Sequence, residues 1–314
     1  MRLSLLDDYQ GVALDLADWS ALQSRVDIAV EREPLADEEA AARALADSEI
    51  VVAMRERTPF PRSLLERLPK LKLLITTGMR NASIDMAAAR DRGITVCGTE
   101  GSGADTAELA WGLILAAARR IADDHRAMRE GQWQTRLGHR LEGKTLGVVG
   151  LGKLGSVVAR VGLAFNMKVI AWSQNLTAEH AASQGVERVD KDALFRRADV
   201  VSVHVVLSPR SRGLIGRDEI ALMKKDAILV NTSRGPIVDT DAVIEALRAG
   251  RLGYAGFDVY DREPLPADHP LRRAPNVVLT PHIGYVTEEN YRSWYPQIVE
   301  NVAGFLDGKP VRVI

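Results

Sequence analysis

The 314-residue chain is long enough for about two domains, each with a sizeable core. Its 41 Lys plus Arg against 42 Asp plus Glu leave a formal charge of -1 with no long block of like charge, which argues against a nucleic-acid or anionic-membrane surface. Cys97 is the only cysteine, so an intrachain disulfide framework is excluded, and its apolar context Ile94-Thr95-Val96-Cys97 suits a small buried filler better than a nucleophile. The N-terminal run Met1-Arg2-Leu3-Ser4-Leu5-Leu6-Asp7-Asp8 reaches acidic residues too soon for a secretory signal, and no apolar run is long enough to span a bilayer. A soluble cytoplasmic protein is expected, with no membrane or nucleic-acid partner and no metal site.

Residues 1–99 alternate short apolar runs with amphipathic stretches. The runs are Leu3 to Leu6, Ile50 to Met54, Leu71 to Ile75 and Ile94 to Cys97; helical patterns such as Glu38 to Ala46 and Pro61 to Leu68 lie between them, the second opening on a proline. Continuous apolar strands separated by helices predict a parallel sheet covered on both faces, hence a compact α/β domain. From Ala104 a long apolar helical pattern runs past Ala118 into Arg119-Arg120, read as a linking helix whose Leu109, Leu113 and Ala116 belong to a core. Beyond Gly143 a second alternating series places strands near 145–150, 168–172, 199–204, 227–232, 254–258 and 276–280. A last helical segment, Glu288 to Leu306, follows with no partner evident from its pattern.

The second series opens on Thr145-Leu146-Gly147-Val148-Val149-Gly150-Leu151-Gly152-Lys153-Leu154-Gly155, an apolar strand running into glycines spaced G-x-G-x-x-G and then into a helical pattern. The missing side chains supply the chemistry. Gly150 allows a tight turn, Gly152 lets a pyrophosphate approach the backbone, and Gly155 lets helix pack on strand, with unpaired amides at the helix start to receive the anion. Five or six strands in this order describe a doubly wound nucleotide-binding domain. Its second strand, Lys168 to Trp172, should end on the group that reads the adenosine ribose, where an NAD-specific fold usually carries Asp or Glu. This chain has Ser173-Gln174-Asn175, with no adjacent Arg or Lys, so NAD and NADP both stay open.

Three further stretches carry ionisable groups at predicted strand ends, where ligands bind in open α/β sheets. Leu229-Val230-Asn231-Thr232-Ser233-Arg234-Gly235 places a guanidinium able to clamp a carboxylate with two parallel bonds, or to close a helix-end salt bridge. Gly256 to Pro264 carries Asp258 and Glu263, and Leu279-Thr280-Pro281-His282-Ile283-Gly284 carries an imidazole that could exchange a substrate proton near neutral pH with a glutamate orienting its ring.

Together these strings resemble the D-2-hydroxyacid dehydrogenase family. The matching segments are Leu141 to Gly147, the glycine loop, Ala198-Asp199-Val200-Val201-Ser202-Val203-His204, Asn231 to Gly235, Asp258-Val259 with Glu263-Pro264, and Pro281 to Gly284. The resemblance implies a homodimer with a Rossmann-type NAD(P)-binding domain over 100–285 and a flavodoxin-like α/β substrate domain over 1–99, completed by 286–314, with NAD or NADP in the cleft between them. Carried over residue by residue, it implies His282 as acid/base, Glu263 as its partner and Arg234 as the clamp on the carboxylate and carbonyl of a 2-oxo or 2-hydroxy acid. Gly150, Gly152, Lys153, Leu154, Gly155, Ser173, Gln174, His204, Thr232 and Asp258 would contact the cofactor, Asp258 lying near the carboxamide. Hydride would pass between the nicotinamide and C2, giving the D-alcohol. Glu263 argues against the family's formate dehydrogenases, which resemble this chain but carry glutamine there.

The chain departs from the family's glycine-rich substrate loop at Thr77-Gly78-Met79-Arg80-Asn81, with Arg80 in place of a second glycine. Arg80, like Arg55 and Arg57 after an earlier strand, would add an anion contact for a substrate with an extra carboxylate or phosphate, or would face solvent or an ion pair. The amides of Met79 and Arg80 remain able to hold a carboxylate. Tyr285, Trp294 and Tyr295 would narrow the pocket or pack. Two rivals share the fold: a non-catalytic NAD(H)-binding redox sensor resembling the corepressors, and a phosphite-type dehydrogenase.

Overall fold

A computed structural model describes residues 1–101 and 103–314, and the chain divides into two compact units, Met1–Ser102 with Val286–Ile314 and Gly103–Tyr285. In the first unit β1 (Arg2–Leu5), β2 (Asp27–Val30), β3 (Ile50–Ala53), β4 (Leu73–Thr76) and β5 (Thr95–Cys97) form a parallel sheet of order β2-β1-β3-β4-β5. This is the flavodoxin-like order, with its switch point between β1 and β3. Because side chains alternate across a strand, Val51, Ala53, Leu74 and Val96 meet the apolar faces of α1 (Glu38–Leu45), α2 (Arg62–Glu66) and α3 (Met86–Asp91). Asp37 and Asp85 accept from the third residues on, Ala40 and Ala88, and so satisfy orphan amides at the starts of α1 and α3. The C-terminal helix Glu288–Leu306 belongs to this unit and packs on β4, which settles the partner its sequence left open. Strand β2 was not legible: Asp27-Ile28-Ala29-Val30 is a half-buried edge strand without the continuous apolar run of its neighbours.

The second unit runs α4 (Ala104–Ala118), α5 (Ile121–Arg129), β6 (Thr145–Val149), α6 (Lys153–Ala164), β7 (Lys168–Trp172), α7 (Ala178–Ser183), β8 (Glu187–Arg188), α8 (Lys191–Arg197), β9 (Val200–Val203), α9 (Arg217–Leu222), β10 (Ile228–Asn231), α10 (Thr240–Arg248), β11 (Tyr254–Phe257) and β12 (Val277–Leu279). All pairings in its sheet are parallel, in the order β12-β11-β10-β9-β6-β7-β8, the dinucleotide-fold order extended by one edge strand. Both faces are covered. Leu194, Phe195, Ile220 and Val243 close one face over Val149, Val201, Val203 and Leu229, while Trp111, Ile114, Val158 and Ala181 close the other over Leu146, Val148, Val200 and Val230.

The predicted linking helix is an integral layer of this second unit, with α4 packed on β10, β11 and α6. It ends before Arg120, whose left-handed backbone (φ 57°) breaks the helix so that α5 restarts at Ile121. The two-residue strand β8 escaped the sequence reading because neither Glu187 nor Arg188 is buried. Among the described residues no helix is long and apolar enough to cross a membrane.

Gly155 carries the closest approach in the unit: a Cβ there would lie 1.9 Å from the Gly150 carbonyl oxygen, a backbone atom that cannot swing aside. Gly155→Ala should therefore force α6 off β6 and lower the stability read by urea unfolding by about 1–3 kcal/mol, the usual range for overpacking. An unchanged midpoint would show that the contact can relax.

Candidate active site

Parallel register assembles the site before any side chain is considered. Val149 pairs with Val203, Val203 with Asn231, Asn231 with Phe257 and Phe257 with Leu279. The next residues, Gly150, His204, Thr232, Asp258 and Thr280, therefore stand in a row along the carboxyl edge of five adjacent strands, the edge at which open α/β sheets bind ligands.

At the glycine loop the three glycines separate their tasks. Gly150 has φ 100°, a conformation costly for any side chain, and Gly155 permits the close helix contact. A Cβ on Gly152, the N-cap of α6, would meet nothing within 4 Å, so an anion can approach the first amides of α6, beside Lys153 and Leu154. The residues next along the edge fit a dinucleotide as well. His204 Nδ1 and Thr232 Oγ1 are buried and find no acceptor or donor among the described residues, an arrangement that costs free energy unless a ligand completes it. His204 Nε2 lies 2.8 Å from Ser202 Oγ; the residue as a whole keeps some exposure, but burial of its ring pulls the imidazole down to about 4. Neutral at physiological pH, the ring has one N–H to offer and one lone pair, and Ser202 can fix which nitrogen does which.

Arg234 ends a turn after β10 that Asn231 holds closed. The fully buried Asn231 accepts from Ser233 N at 3.0 Å and donates to the Arg234 carbonyl at 2.9 Å, while Ser233 Oγ donates to the Val203 carbonyl at 2.8 Å. One guanidinium N–H donates to the Ser233 carbonyl at 2.7 Å, which fixes the start of the fork. Gly235 lets the chain pass against Tyr260, where a Cβ would come within 2.0 Å of backbone.

His282 Nδ1 lies 2.5 Å from Glu263 Oε2, and both side chains are largely buried. Glu263 is itself held, its Oε1 accepting from Tyr260 N at 2.9 Å. Tyr260 in turn donates to the Thr280 carbonyl at 2.8 Å, and burial together with the charges of Asp258 and Glu263 pushes its phenol far above the usual range. His282 adopts a left-handed backbone (φ 55°), an unfavourable state for a non-glycine residue. Asp258 makes it possible: its Oδ1 accepts from Thr280 Oγ1 at 2.6 Å and Ile283 N at 2.8 Å, and its Oδ2 from Gly284 N at 2.9 Å. Burial raises the Asp258 carboxyl above its ordinary value, and these donors and the neighbouring His282 offset only part of that rise. The Tyr285 ring meets His282 edge-on at 5.7 Å, whereas Trp294 and Tyr295 are buried with Tyr291 in the first unit.

In the first unit a second row forms at the strand ends. Asp7, Arg55 and Gly78, after β1, β3 and β4, all have positive φ (60°, 52° and 93°). Arg55 bends over Gly78, where a Cβ would lie 2.0 Å from its Nη1, and donates to the Thr77 carbonyl at 3.3 Å; Glu56 lies 3.8 Å from its Nε. Arg57 stacks over the Tyr9 ring at 5.1 Å. Met79 and Arg80 are exposed, and their amides have no acceptor among the described residues. Burial raises the Asp7 carboxyl, which accepts from Tyr9 and Thr58.

Sequence reasoning missed the supports. Asn231 could have been read from its place just ahead of a polar turn, where Asn side chains bond the backbone two residues on. The cradle role of Asp258 had no local signal, because its partners lie on the following strand and turn. Arg188, whose Nε donates to the Leu176 carbonyl at 2.9 Å, approaches the turn after β7 only through the pairing of β7 with β8.

Residues 111–284 match the family described as D-isomer specific 2-hydroxyacid dehydrogenase, NAD binding domain, which supports a nicotinamide cofactor. The chain is 40% identical over 263 residues to the D-3-phosphoglycerate dehydrogenase of Methanocaldococcus jannaschii, covering 82% of this chain but only 50% of that longer protein. It is 41% identical over 256 residues to the glyoxylate reductase of Aeropyrum pernix, 78% of this chain and 76% of that one. Its structure superposes on the crystal structure of phosphoglycerate oxidoreductase from Vibrio cholerae with a TM-score of 0.92 at 36% identity, over 98% of this chain and 99% of the other. The parallel sheets, the glycine loop and these likenesses agree, and the chain belongs to the D-isomer specific 2-hydroxyacid dehydrogenase family.

Proposed function

We propose that this chain reduces a 2-oxo acid to the D-2-hydroxy acid, or runs the reverse reaction, with His282 as the acid/base. The observation that carries the reading is the part-buried His282–Glu263 pair, held at 2.5 Å on the same strand-end edge as the glycine loop. Bound there, a nicotinamide cofactor supplies or accepts the hydride at C2. Glu263 takes the Nδ1–H of His282, so the ring presents Nε2 to the substrate oxygen and can hold a proton there. Arg234 keeps its charge throughout and meets the carboxylate with its planar fork. His204, Thr232, Ser173 and Gln174 face the cofactor, and Asp258 positions the His282 turn. In the first unit, the substrate domain, Arg55 and the amides of Met79 and Arg80 add anion contacts.

We further propose a homodimer. Trp133 and Leu137 are 73% and 91% exposed, and Ile121 and Met128 of α5 are also exposed, a concentration of large apolar side chains over one short segment that a second copy would cover.

The reaction is tested by initial rates of cofactor oxidation with NADH and NADPH across glyoxylate, hydroxypyruvate, phenylpyruvate, oxaloacetate and 3-phosphohydroxypyruvate. Turnover of at least one acid is expected, and His282→Ala should lower kcat by about 10²–10⁴-fold while dinucleotide still binds. Absence of turnover with tight cofactor binding would favour a redox sensor, and an unimpaired His282→Ala would remove the acid/base role. Arg234→Lys should raise KM for the acid by at least about tenfold, because a point charge cannot reproduce the fork; an unchanged KM would end the clamp assignment. Sedimentation should give twice the chain mass, with Leu137→Asp shifting the population to monomer, and a monomeric parent protein would contradict the dimer.

A further inference from the structure

The turn that follows β7 has a cation at its base that the local sequence does not reveal. In a doubly wound fold this turn meets the adenosine ribose, and its residues decide whether a 2′-hydroxyl or a 2′-phosphate is accepted. Here Ser173, Gln174 and Asn175 are all uncharged, and the turn is closed by Leu176 N donating to the Ser173 carbonyl at 3.1 Å. Arg188 donates from Nε to the carbonyl of Leu176 at 2.9 Å.

The register fixes which way that arginine faces. Arg188 pairs with Ala171, so both point to the same side of the sheet, the side covered by α6 and α7. That is the side on which the glycine loop opens into α6. His180 of α7 reinforces the connection, its Nε2 lying 3.3 Å from the Leu151 carbonyl within the glycine loop. Glu187, the adjacent carboxylate, points to the opposite face and is taken by Arg197 through two contacts of 2.7 Å. Arg188 itself makes no ion pair among the described residues, and its two Nη groups have no acceptor among them. A guanidinium with one N–H committed to the turn and its outer fork uncommitted is matched to a phosphate, whose oxygens it can take two at a time. A 2′-hydroxyl offers it no charge.

We infer that this chain takes NADP(H) in preference to NAD(H), and that Arg188 reads the 2′-phosphate beside the Ser173–Asn175 turn. The inference rests on the reading that the Gly150–Gly155 loop holds a nicotinamide dinucleotide. Ser173 and Gln174 add neutral hydrogen bonds, and none of the three turn residues brings a charge that would repel the phosphate.

Equilibrium titration of the intact protein with NADPH, NADH, 2′,5′-ADP and 5′-AMP tests this without any turnover. NADPH should bind at least about tenfold tighter than NADH, and 2′,5′-ADP at least about tenfold tighter than 5′-AMP, the worth of one good charged fork. Arg188→Gln should reduce the NADPH-to-NADH affinity ratio toward one, and Ser173→Asp should invert it by placing a carboxylate against the phosphate. Equal binding of the two dinucleotides by the parent protein would overturn the inference. So would an Arg188→Gln variant that weakens both by the same factor, since a residue that only braces the turn cannot tell them apart. Failure of every 2-oxo acid to turn over, with the NADPH preference intact, would count against the proposed reaction and leave this assignment standing.

Discussion

The strand-end edge of the second unit depends on one buried carboxylate. Asp258 gathers a hydroxyl from Thr280 and two backbone amides from Ile283 and Gly284, and these bonds hold the chain where His282 must take a left-handed conformation. Such a conformation costs of order 1–3 kcal/mol and persists only where its surroundings over-determine it. Three donors on one carboxylate meet that requirement. With the turn fixed, Glu263 holds one nitrogen of the imidazole.

The same economy extends along the sheet. Parallel register alone delivers Gly150, His204, Thr232, Asp258 and Thr280 to neighbouring strand ends, so a dinucleotide laid along this edge meets each in turn. Asn231 does for Arg234 what Asp258 does for His282, closing a turn from the inside with both ends of its side chain. In each case the side chain is placed by a buried polar neighbour that bonds the backbone of the same turn. His204 Nδ1 and Thr232 Oγ1 find no partner among the described residues, and both lie where a cofactor would complete them. In the first unit the strand ends also hold strained backbone, at Asp7 and Arg55, beside a group of arginines.

Much of this was legible in the sequence, for identifiable reasons. Continuous apolar runs mark strands buried on both faces, so the central strands of both sheets were predicted, whereas the edge strands Asp27–Val30 and Glu187–Arg188 were not, since an edge needs no such run. The glycine loop declares itself because each glycine answers a backbone demand, as the 1.9 Å approach at Gly155 demonstrates. The residues proposed to carry the chemistry, Arg234, Glu263 and His282, sit in recognisable strings. Their supports do not. Asp258 acts on partners 22 to 26 residues further along the chain, and Arg188 reaches the turn after β7 through a strand pairing that leaves no local pattern. The break at Arg120 was hidden too, because helical periodicity continues across a residue whose backbone reverses.

The central claim is that the His282–Glu263 edge carries out reduction at C2 of a 2-oxo acid. The most direct measurement is isotope transfer: the protein is incubated with cofactor deuterated at C4 of the nicotinamide and with a panel of 2-oxo acids, and the products are resolved by NMR and chiral chromatography. The account predicts deuterium at C2 of a 2-hydroxy acid of D configuration. Label retained wholly in the cofactor across the panel, or delivered to the L-enantiomer, would contradict it.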